Sequence, residues 1–341
     1  MRVNVLNRIH RLAWIGAIGG AVTILCLLAV PQAAHAGEDG GYAGAPVQWG
    51  VGGRAVAMGG AYTAIAEGPT GFWYNPAGIA GMREDQLEAA WRSMSFDRKT
   101  GYIALLHPFA RDEAAMSLSW TYAGVSDLYE YNIDGVRGDA ISNFTNAITF
   151  SFGRRFTPTL SVGATLRYLQ QNIANINAYT IGFDLGVHLR FVRDWDLGSL
   201  RVPMSRVRMG FVVGQLNQKY PWTTGDYWVK HAEPGTSTDE RFPVIFRSGM
   251  AVDIWANRAL IAIDGEFNEE QSARLHVGAE VHPVTQLALR GGLENADPTF
   301  GAGFELPLDK NKLTRLIFDY AFATQPGAID PEHVLSLGVR F

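Results

Sequence analysis

The residues His333-Val-Leu-Ser-Leu-Gly-Val-Arg-Phe341 end the chain, and apolar side chains occupy every second position from Leu335 onward. The positions between them, Ser336, Gly338 and Arg340, are polar or glycine. Successive side chains of a β-strand point to opposite faces, so this pattern predicts a strand with one apolar and one polar face.

Thirteen earlier segments alternate in the same way, for example Leu160–Leu169 and Ala178–Phe191. Most have the roughly 9–11 residues that a tilted strand needs to cross a bilayer. The sequence therefore predicts an all-β fold, a transmembrane antiparallel barrel of about 14 strands over residues 84–341. The predicted strands are 84–97, 100–109, 114–124, 142–156, 160–174, 178–192, 206–217, 242–255, 258–267, 272–282, 286–295, 298–307, 313–323 and 332–341.

The lengths of the connections agree with a barrel whose two ends lie in the periplasm. The longest connections, 125–141 and 218–241, then both fall on the outer side, and Thr157–Thr159 and Ala256–Asn257 are short inner turns. Barrels have short periplasmic turns and longer outer loops. The longer inner connection 193–205 is an exception and leaves room for a miscounted strand.

A soluble β-sandwich also alternates, with its polar face turned to water. The two ends of the chain favour a barrel. A last strand that ends on an aromatic residue, here Phe341, resembles the recognition signal read by the barrel-assembly machinery. The N-terminal end has the pattern of an export signal. We therefore predict a protein in contact with outer-membrane lipid.

Residues 1–36 have the order of a secretory signal peptide. Three arginines begin the segment, an apolar run follows from Leu12 to Val30, and Ala34-His-Ala36 is a small-x-small cleavage site. Cleavage after Ala36 is predicted. The alternative is an uncleaved membrane anchor, because the apolar run is long enough to span a bilayer.

The composition limits the classes of molecule that the protein is expected to bind. Loss of residues 1–36 removes three arginines and no acidic residue, so 26 Lys and Arg remain against 33 Asp and Glu, a net charge of −7. An acidic chain argues against nucleic-acid binding. The one cysteine, Cys26, lies in the predicted signal, so the mature chain has no thiol for a disulfide or a metal.

The polar faces of the predicted strands carry full charges of both signs, which are expected to line a lumen and to pair across it. Carboxylates and histidines lie singly on separate strands, so no metal site and no cofactor are predicted. The lumen-lining candidates are Arg167, Asp184, His188, Arg190, Asp264, Glu280, Arg290, Glu305, Arg315 and Asp319.

The segment 37–83, before the first strand, does not alternate and contains two motifs rich in small residues. They are Gly53-Arg-Ala-Val-Ala-Met-Gly-Gly-Ala-Tyr-Thr-Ala-Ile-Ala66 and Trp73-Tyr-Asn-Pro-Ala-Gly-Ile-Ala80. Together with C-terminal pieces such as Leu335-Ser-Leu-Gly-Val-Arg-Phe341, they resemble PorV/PorQ-like outer-membrane proteins. These are relatives of the FadL-type transporters of long-chain fatty acids and other hydrophobic compounds.

The resemblance implies a fourteen-stranded barrel whose N-terminal segment plugs the lumen or seals its periplasmic mouth. Residues of the two motifs are then plug residues with structural roles. They are Gly53, Arg54, Met58, Gly59, Gly60, Asn75 and Pro76. The chain is shorter than the fatty-acid transporters and has little room for a large separate hatch.

Two functions follow as hypotheses. The first is binding or passive passage of a hydrophobic small molecule at the outer membrane, with the aromatic stretch Tyr220–Trp228 as a capture patch or as part of an interfacial belt. The second is a non-transporting accessory barrel of a secretion or surface-attachment system.

Catalysis is not expected. His188 with Asp184 is the one pair of side chains that suggests a catalytic site, and a lumen ion pair explains both residues better.

Overall fold

Fourteen antiparallel strands close into one barrel. The computed structural model of the chain describes residues 43–44, 48–110, 112–174, 176–191, 195–197, 200–202, 204–225, 235–254, 258–309, 314–324 and 330–341. The predicted signal peptide lies outside these residues. The barrel strands are β1 (Gln86–Ser93), β2 (Arg98–Ala110), β3 (Ala114–Val125), β6 (Asn143–Arg155), β7 (Leu160–Ile173), β8 (Ile176–Phe191), β11 (Met204–Leu216), β14 (Ile245–Ile254), β15 (Ala259–Phe267), β16 (Arg274–Val284), β17 (Leu287–Glu294), β18 (Asp297–Pro307), β19 (Arg315–Ala323) and β20 (Glu332–Arg340).

The last strand closes the barrel onto the first, with Gln86 opposite Arg340 and Ser93 opposite His333. Each of the fourteen strands overlaps one of the predicted segments, so the predicted fold class is confirmed. The backbone N–H of Phe341 donates to the carbonyl of Asp85, which ties the chain terminus to the start of β1 (2.9 Å).

Three two-stranded hairpins lie in the long connections, outside the barrel sheet. They are β4–β5 (Tyr129–Tyr131 and Arg137–Ala140), β9–β10 (Trp195–Leu197 and Leu200–Val202) and β12–β13 (Lys219–Thr223 and Ser237–Arg241). Among the described residues of the connection 193–205, the chain forms a small hairpin and no additional barrel strand. By the rule of short periplasmic turns, the end of the barrel that carries β4–β5 and β12–β13 is the outer end.

Alternation sorts the side chains of each strand between the two faces of the wall. In β8, Phe183 and Leu185 are about half exposed and point outward, whereas Asp184 and His188 are buried and point inward. An outward apolar band around a polar interior is the arrangement that a bilayer requires, because the closed sheet satisfies its own backbone. None of the helices in the described ranges is both long and apolar enough to span a membrane.

The inside of the barrel is filled by the chain that precedes β1. This part contains the short helices α1 (Gly53–Ala57) and α2 (Gly71–Tyr74) and the 3-10 helix η1 (Pro76–Gly81). Most of its apolar residues, including the fully buried Ile65 and Phe72, belong to the hydrophobic core, and they form about half of its main cluster. We call residues 43–44 and 48–83 the plug.

Candidate functional site

The plug runs through the lumen from the outer end to the periplasmic end. Near the outer end, Arg92 of β1 donates to the carbonyl of Gly50 (2.7 Å) and pairs with the buried Glu332 of β20. Near the periplasmic end, Gly81 lies against the guanidinium groups of Arg155 and Arg190. The plug therefore occupies the path that a molecule crossing the barrel would take.

A bidentate ion pair holds the first turn of the plug to the wall. The Nε and Nη2 atoms of Arg54 each donate to one oxygen of Glu280, both at 2.8 Å. Glu280 also accepts from Nε of Arg290 (2.6 Å) and lies 3.1 Å from Nε2 of His282. One buried carboxylate thus binds the plug and two side chains of the barrel.

Backbone groups of the plug make the next contacts. The N–H groups of Tyr62 and Thr63 both donate to Oδ2 of Asp264 (2.7 and 2.6 Å). Nδ1 of His276 lies 2.7 Å from the carbonyl of Gly59, and Nε2 of His188 lies 2.9 Å from the carbonyl of Ala64. Since a carbonyl only accepts, each imidazole donates its N–H.

A carboxylate of the plug binds arginines of the wall on the periplasmic side. Oε1 of Glu67 lies 2.8 Å from Arg190 and 3.5 Å from Arg208. Burial alone would raise the pKa of Glu67, but Arg208 and Arg190 outweigh it and hold that pKa at about 2. Glu67 is therefore ionised at neutral pH and holds the plug electrostatically.

Asn75 and Pro76 connect the helix α2 to the 3-10 helix η1 within the plug. The amide of Asn75 donates to the carbonyls of Thr63 (3.0 Å) and Val187 (3.1 Å), and its Oδ1 accepts from the N–H of Ala77 (3.0 Å). Asn75 therefore caps η1, and Pro76 occupies the first position of that helix, where no N–H is needed. All three side-chain hydrogen bonds of Asn75 hold the plug in its fold or to β8.

Replacing Asn75 with alanine is expected to lower the free energy of unfolding by about 1–3 kcal/mol, because the buried carbonyls of Thr63 and Val187 and the N–H of Ala77 lose their partner. Urea unfolding of the protein in lipid vesicles measures the change. Asn143→Ala, at the partly exposed start of β6, is the comparison outside the plug. An effect no larger than that of Asn143→Ala would contradict the assigned role.

The remaining predicted plug residues also contact the wall. The N–H of Gly53 donates to Oγ of Ser336 (2.7 Å), and Met58 is fully buried against Gly278 and Gly292. Gly59 and Gly60 have positive φ values of 64° and 81°, a conformation that favours glycine. A Cβ atom on Gly59 would lie 2.6 Å from backbone atoms of Leu293, so the close approach also excludes a side chain there.

The other predicted lumen charges pair within the wall. Arg167 binds Asp184 on the adjacent strand (2.7 Å), and His188 takes a separate partner in the plug, so no His188–Asp184 pair forms. Arg290 reaches Asp319, and Arg315 binds Glu305 near the periplasmic end (2.8 Å). These residues pair along the wall and not across the lumen as expected, because the plug occupies the space between opposite walls.

The sequence patterns did not reveal the glycines of the barrel wall that leave space for the plug. A Cβ atom on Gly163 would lie 2.3 Å from the carbonyl carbon of Pro76, and one on Gly210 would lie 2.2 Å from the carbonyl oxygen of Thr63. Both glycines lie at lumen-facing positions of their strands. A glycine at such a position is a signal that another backbone approaches closely, so this groove could have been predicted.

An aromatic cluster closes the outer end of the lumen. Tyr220 of the β12–β13 hairpin is fully buried, and its ring centroid lies 4.9 Å from that of Phe242 and 5.5 Å from that of Trp222. Ala43 and Gly44 of the plug reach this cluster, and Gly44 lies directly against the ring of Phe242. Sequence reasoning found Tyr220 and Trp222 as a patch but not their inward orientation.

The fold of this barrel is similar to that of several solved channels and transporters. The CymD monoaromatic hydrocarbon channel matches with a TM-score of 0.55 at 14% identity, over 85% of this chain and 97% of that chain. The toluene transporter TodX of Pseudomonas putida matches at 0.54 and 12% identity, over 85% and 96% of the chains. A Pseudomonas aeruginosa FadL homologue matches at 0.54 and 13% identity, with the same coverage.

The fold is that of FadL-type channels. The FadL part of the predicted resemblance is thereby supported at the level of fold, and the PorV/PorQ part stays a prediction. No family model and no curated protein matches the sequence. Among the described residues, no three His, Cys, Asp or Glu side chains come together as a metal site.

Proposed function

We propose that this FadL-type barrel is an outer-membrane channel for small hydrophobic molecules, closed by its own plug. The fold supports the proposal, since the matched structures include a monoaromatic hydrocarbon channel and a toluene transporter. The outward apolar faces of the strands suit a bilayer, and the lumen contains an internal segment that could move.

The contact of Ala43 and Gly44 with the aromatic cluster carries the proposal. Tyr220, Trp222 and Phe242 form an apolar site at the outer end of the lumen, and the first described residues of the plug occupy it. A small apolar molecule offers the same kind of surface as these two residues. A ligand that takes their place separates the start of the plug from the outer hairpin.

Passage then requires movement of the plug. Two spaces beside it, both lined by Trp73 and Arg247 together with other residues, measure about 30 and 20 Å³. Such volumes hold about one water molecule each. In this proposal the arrangement is the closed state, in which the first described residues of the plug, Ala43 and Gly44, are the part nearest to an arriving ligand.

The test is toluene binding and flux with the purified protein. Flux is measured in vesicles with a lipopolysaccharide outer leaflet, because toluene crosses plain phospholipid unaided. Phe242→Ala is expected to weaken toluene binding by about tenfold or more, since burial against such a ring contributes roughly 1.5–3 kcal/mol. Phe96→Ala, in the exposed loop between β1 and β2, is the matched control. Absence of binding and of flux across a broad hydrophobic panel would overturn the proposal.

One observation favours the second hypothesis, an accessory barrel of a secretion or surface-attachment system. The β4–β5 hairpin extends from the outer end and exposes Tyr131, Ile133 and Val136, and Ile133 is completely exposed. Exposed apolar residues on a projecting hairpin suit a protein partner. Mass spectrometry of proteins that co-purify in mild detergent tests this role, which fails if the barrel emerges free of any secretion component.

A further inference from the structure

Arginines of β6, β8 and β11 face the lumen at the periplasmic end of the barrel. They are Arg155 of β6, Arg190 of β8, and Arg206 and Arg208 of β11, and we call them the arginine cluster. The neighbouring Arg154 is exposed on the lipid side, so alternation turns Arg155 inward. The cluster therefore lies inside the mouth of the barrel, and the wall separates it from the surrounding lipid.

The guanidinium groups of the cluster lie close to one another. Arg190 and Arg208 are directly opposite each other in the register of β8 and β11. A Cβ atom on Gly81 would lie 2.4 Å from Nη2 of Arg155 and 3.3 Å from Nη2 of Arg190, so both groups approach the same point at the end of the plug. Like charges at such distances repel each other, and an anion placed among them stabilises the arrangement.

The carboxylates of Glu67 and Asp253 offset part of this charge. Oε1 of Glu67 lies 2.8 Å from Arg190 and 3.5 Å from Arg208, and Oδ1 of Asp253 lies 2.8 Å from Arg208. Both carboxylates are thus committed to Arg190 and Arg208. The other two members of the cluster have weaker contacts.

Arg155 and Arg206 hold the unused hydrogen-bond donors. Nη1 of Arg155 is 3.9 Å from Asp112, which Arg83 already binds through both carboxylate oxygens, and Nε of Arg206 is 3.6 Å from Asp253. Within the described ranges, neither guanidinium group donates a hydrogen bond. The two side chains are 19% and 32% exposed, so water and dissolved ions can reach them.

We propose that the arginine cluster is a binding site for a small phosphate-type oxyanion in the periplasm, either inorganic phosphate or a phosphomonoester. A phosphate group carries close to two negative charges at neutral pH and offers several strong acceptor oxygens. Guanidinium groups bind such oxygens through paired, charge-assisted hydrogen bonds. Arg155 and Arg206 supply the unused donors, and Arg190, on the strand between theirs, adds a third positive charge.

The ligand is a dissolved ion and not a lipid headgroup, because the cluster faces the lumen and the wall lies between it and the bilayer. The site goes beyond the proposed channel and does not depend on it. The aromatic cluster at the outer end binds apolar surface, whereas the arginine cluster at the opposite end binds charge.

The experiment measures binding of radiolabelled inorganic phosphate to the full protein by equilibrium dialysis. The protein is held in phosphatidylcholine nanodiscs, which carry no net charge, and empty nanodiscs are subtracted. Low ionic strength is used, because salt screens the charges of the cluster. The parent should bind phosphate saturably. Arg155→Gln should weaken binding about tenfold or more, as loss of a hydrogen bond between charged groups does.

Arg154→Gln is the matched control, because it removes the same charge from the same end of β6 but on the lipid side. Its affinity for phosphate should stay within about twofold of the parent, since the lost charge is distant from the site. Glu67→Gln should bind phosphate about threefold more tightly or better, because Glu67 competes with the ligand for Arg190 and Arg208. The opposite signs for Arg155→Gln and Glu67→Gln distinguish a binding site from a general loss of structure.

A thermal melt adds a second readout. Phosphate should raise the melting temperature of the parent and of Arg154→Gln, as a ligand of the folded state does, and have little effect on Arg155→Gln. If Arg155→Gln does not assemble, Arg206→Gln provides the same test. Absence of saturable phosphate binding by the parent, or an equal loss in Arg154→Gln and Arg155→Gln, would refute the proposal. Toluene flux is a separate measurement, and its absence would leave this site unaffected.

Discussion

Replacing Gly163 with leucine is expected to keep the plug out of the barrel and to open the lumen to ions. A Cβ atom at this position would lie 2.3 Å from the carbonyl carbon of Pro76 and 2.4 Å from the N atom of Ala77. Both are backbone atoms of η1, and they cannot move aside as a flexible side chain can. The rest of β7 keeps its pairing, because its backbone hydrogen bonds to β6 and β8 do not involve the side chain.

Ion current across a planar lipid bilayer measures the result. The parent protein should be closed, since the plug fills its lumen, and the Gly163→Leu protein should conduct. Gly291→Leu is the control on the lipid side, where the nearest atoms to an added Cβ lie 3.8 Å away. If Gly163→Leu fails to assemble, Gly210→Leu tests the same idea at Thr63. A folded variant that stays closed would show that the plug does not depend on this groove.

Replacing Glu280 with alanine is expected to cause the largest loss of stability. The substitution removes the partner of Arg54 in the plug and one of the two partners of Arg290 in the wall. Removing one member of a buried ion pair typically costs about 3–5 kcal/mol, because the remaining charge is left without compensation. The side chain of Glu280 is only 3% exposed, so water cannot readily replace it.

Urea unfolding in lipid vesicles measures this loss. Arg54→Leu should cost less, since Glu280 then keeps Arg290 at 2.6 Å and the charge that remains is still paired. Glu130→Ala, on the exposed β4–β5 hairpin, should change the free energy of unfolding by no more than about 0.5 kcal/mol. A Glu280→Ala effect as small as that of Glu130→Ala would exclude the ion pair as an anchor of the plug.

The strands could be predicted because alternation is a local property. Each half-exposed apolar residue and its buried polar neighbour stand next to each other in the chain, as Leu185 and Asp184 do. The prediction failed where apolar residues continue into a turn. β1 was expected to reach residue 97 but ends at Ser93, because Phe96 and Asp97 adopt positive φ values and reverse the chain.

The functional site was predictable only in part. The alternation predicts that Asp264 and Glu280 face the lumen. It does not predict which groups of the plug they bind. Arg54 and Glu280 are 226 residues apart, and only closure of the barrel brings them together. The inward position of Tyr220 could not be predicted either. A bulge at Gln215 turns the chain over the lumen, and no pattern of residue types indicates this bulge.

The sequence by itself determined the wall of this protein. It specified fourteen strands, an apolar outer face and a charged inner face, because each depends on residues adjacent in the chain. The tertiary structure decided what the lumen contains: the path of the plug, the glycine grooves that admit it and the hairpin that covers it. These contacts join segments far apart in the chain, and their geometry exists only once the barrel has closed around the plug.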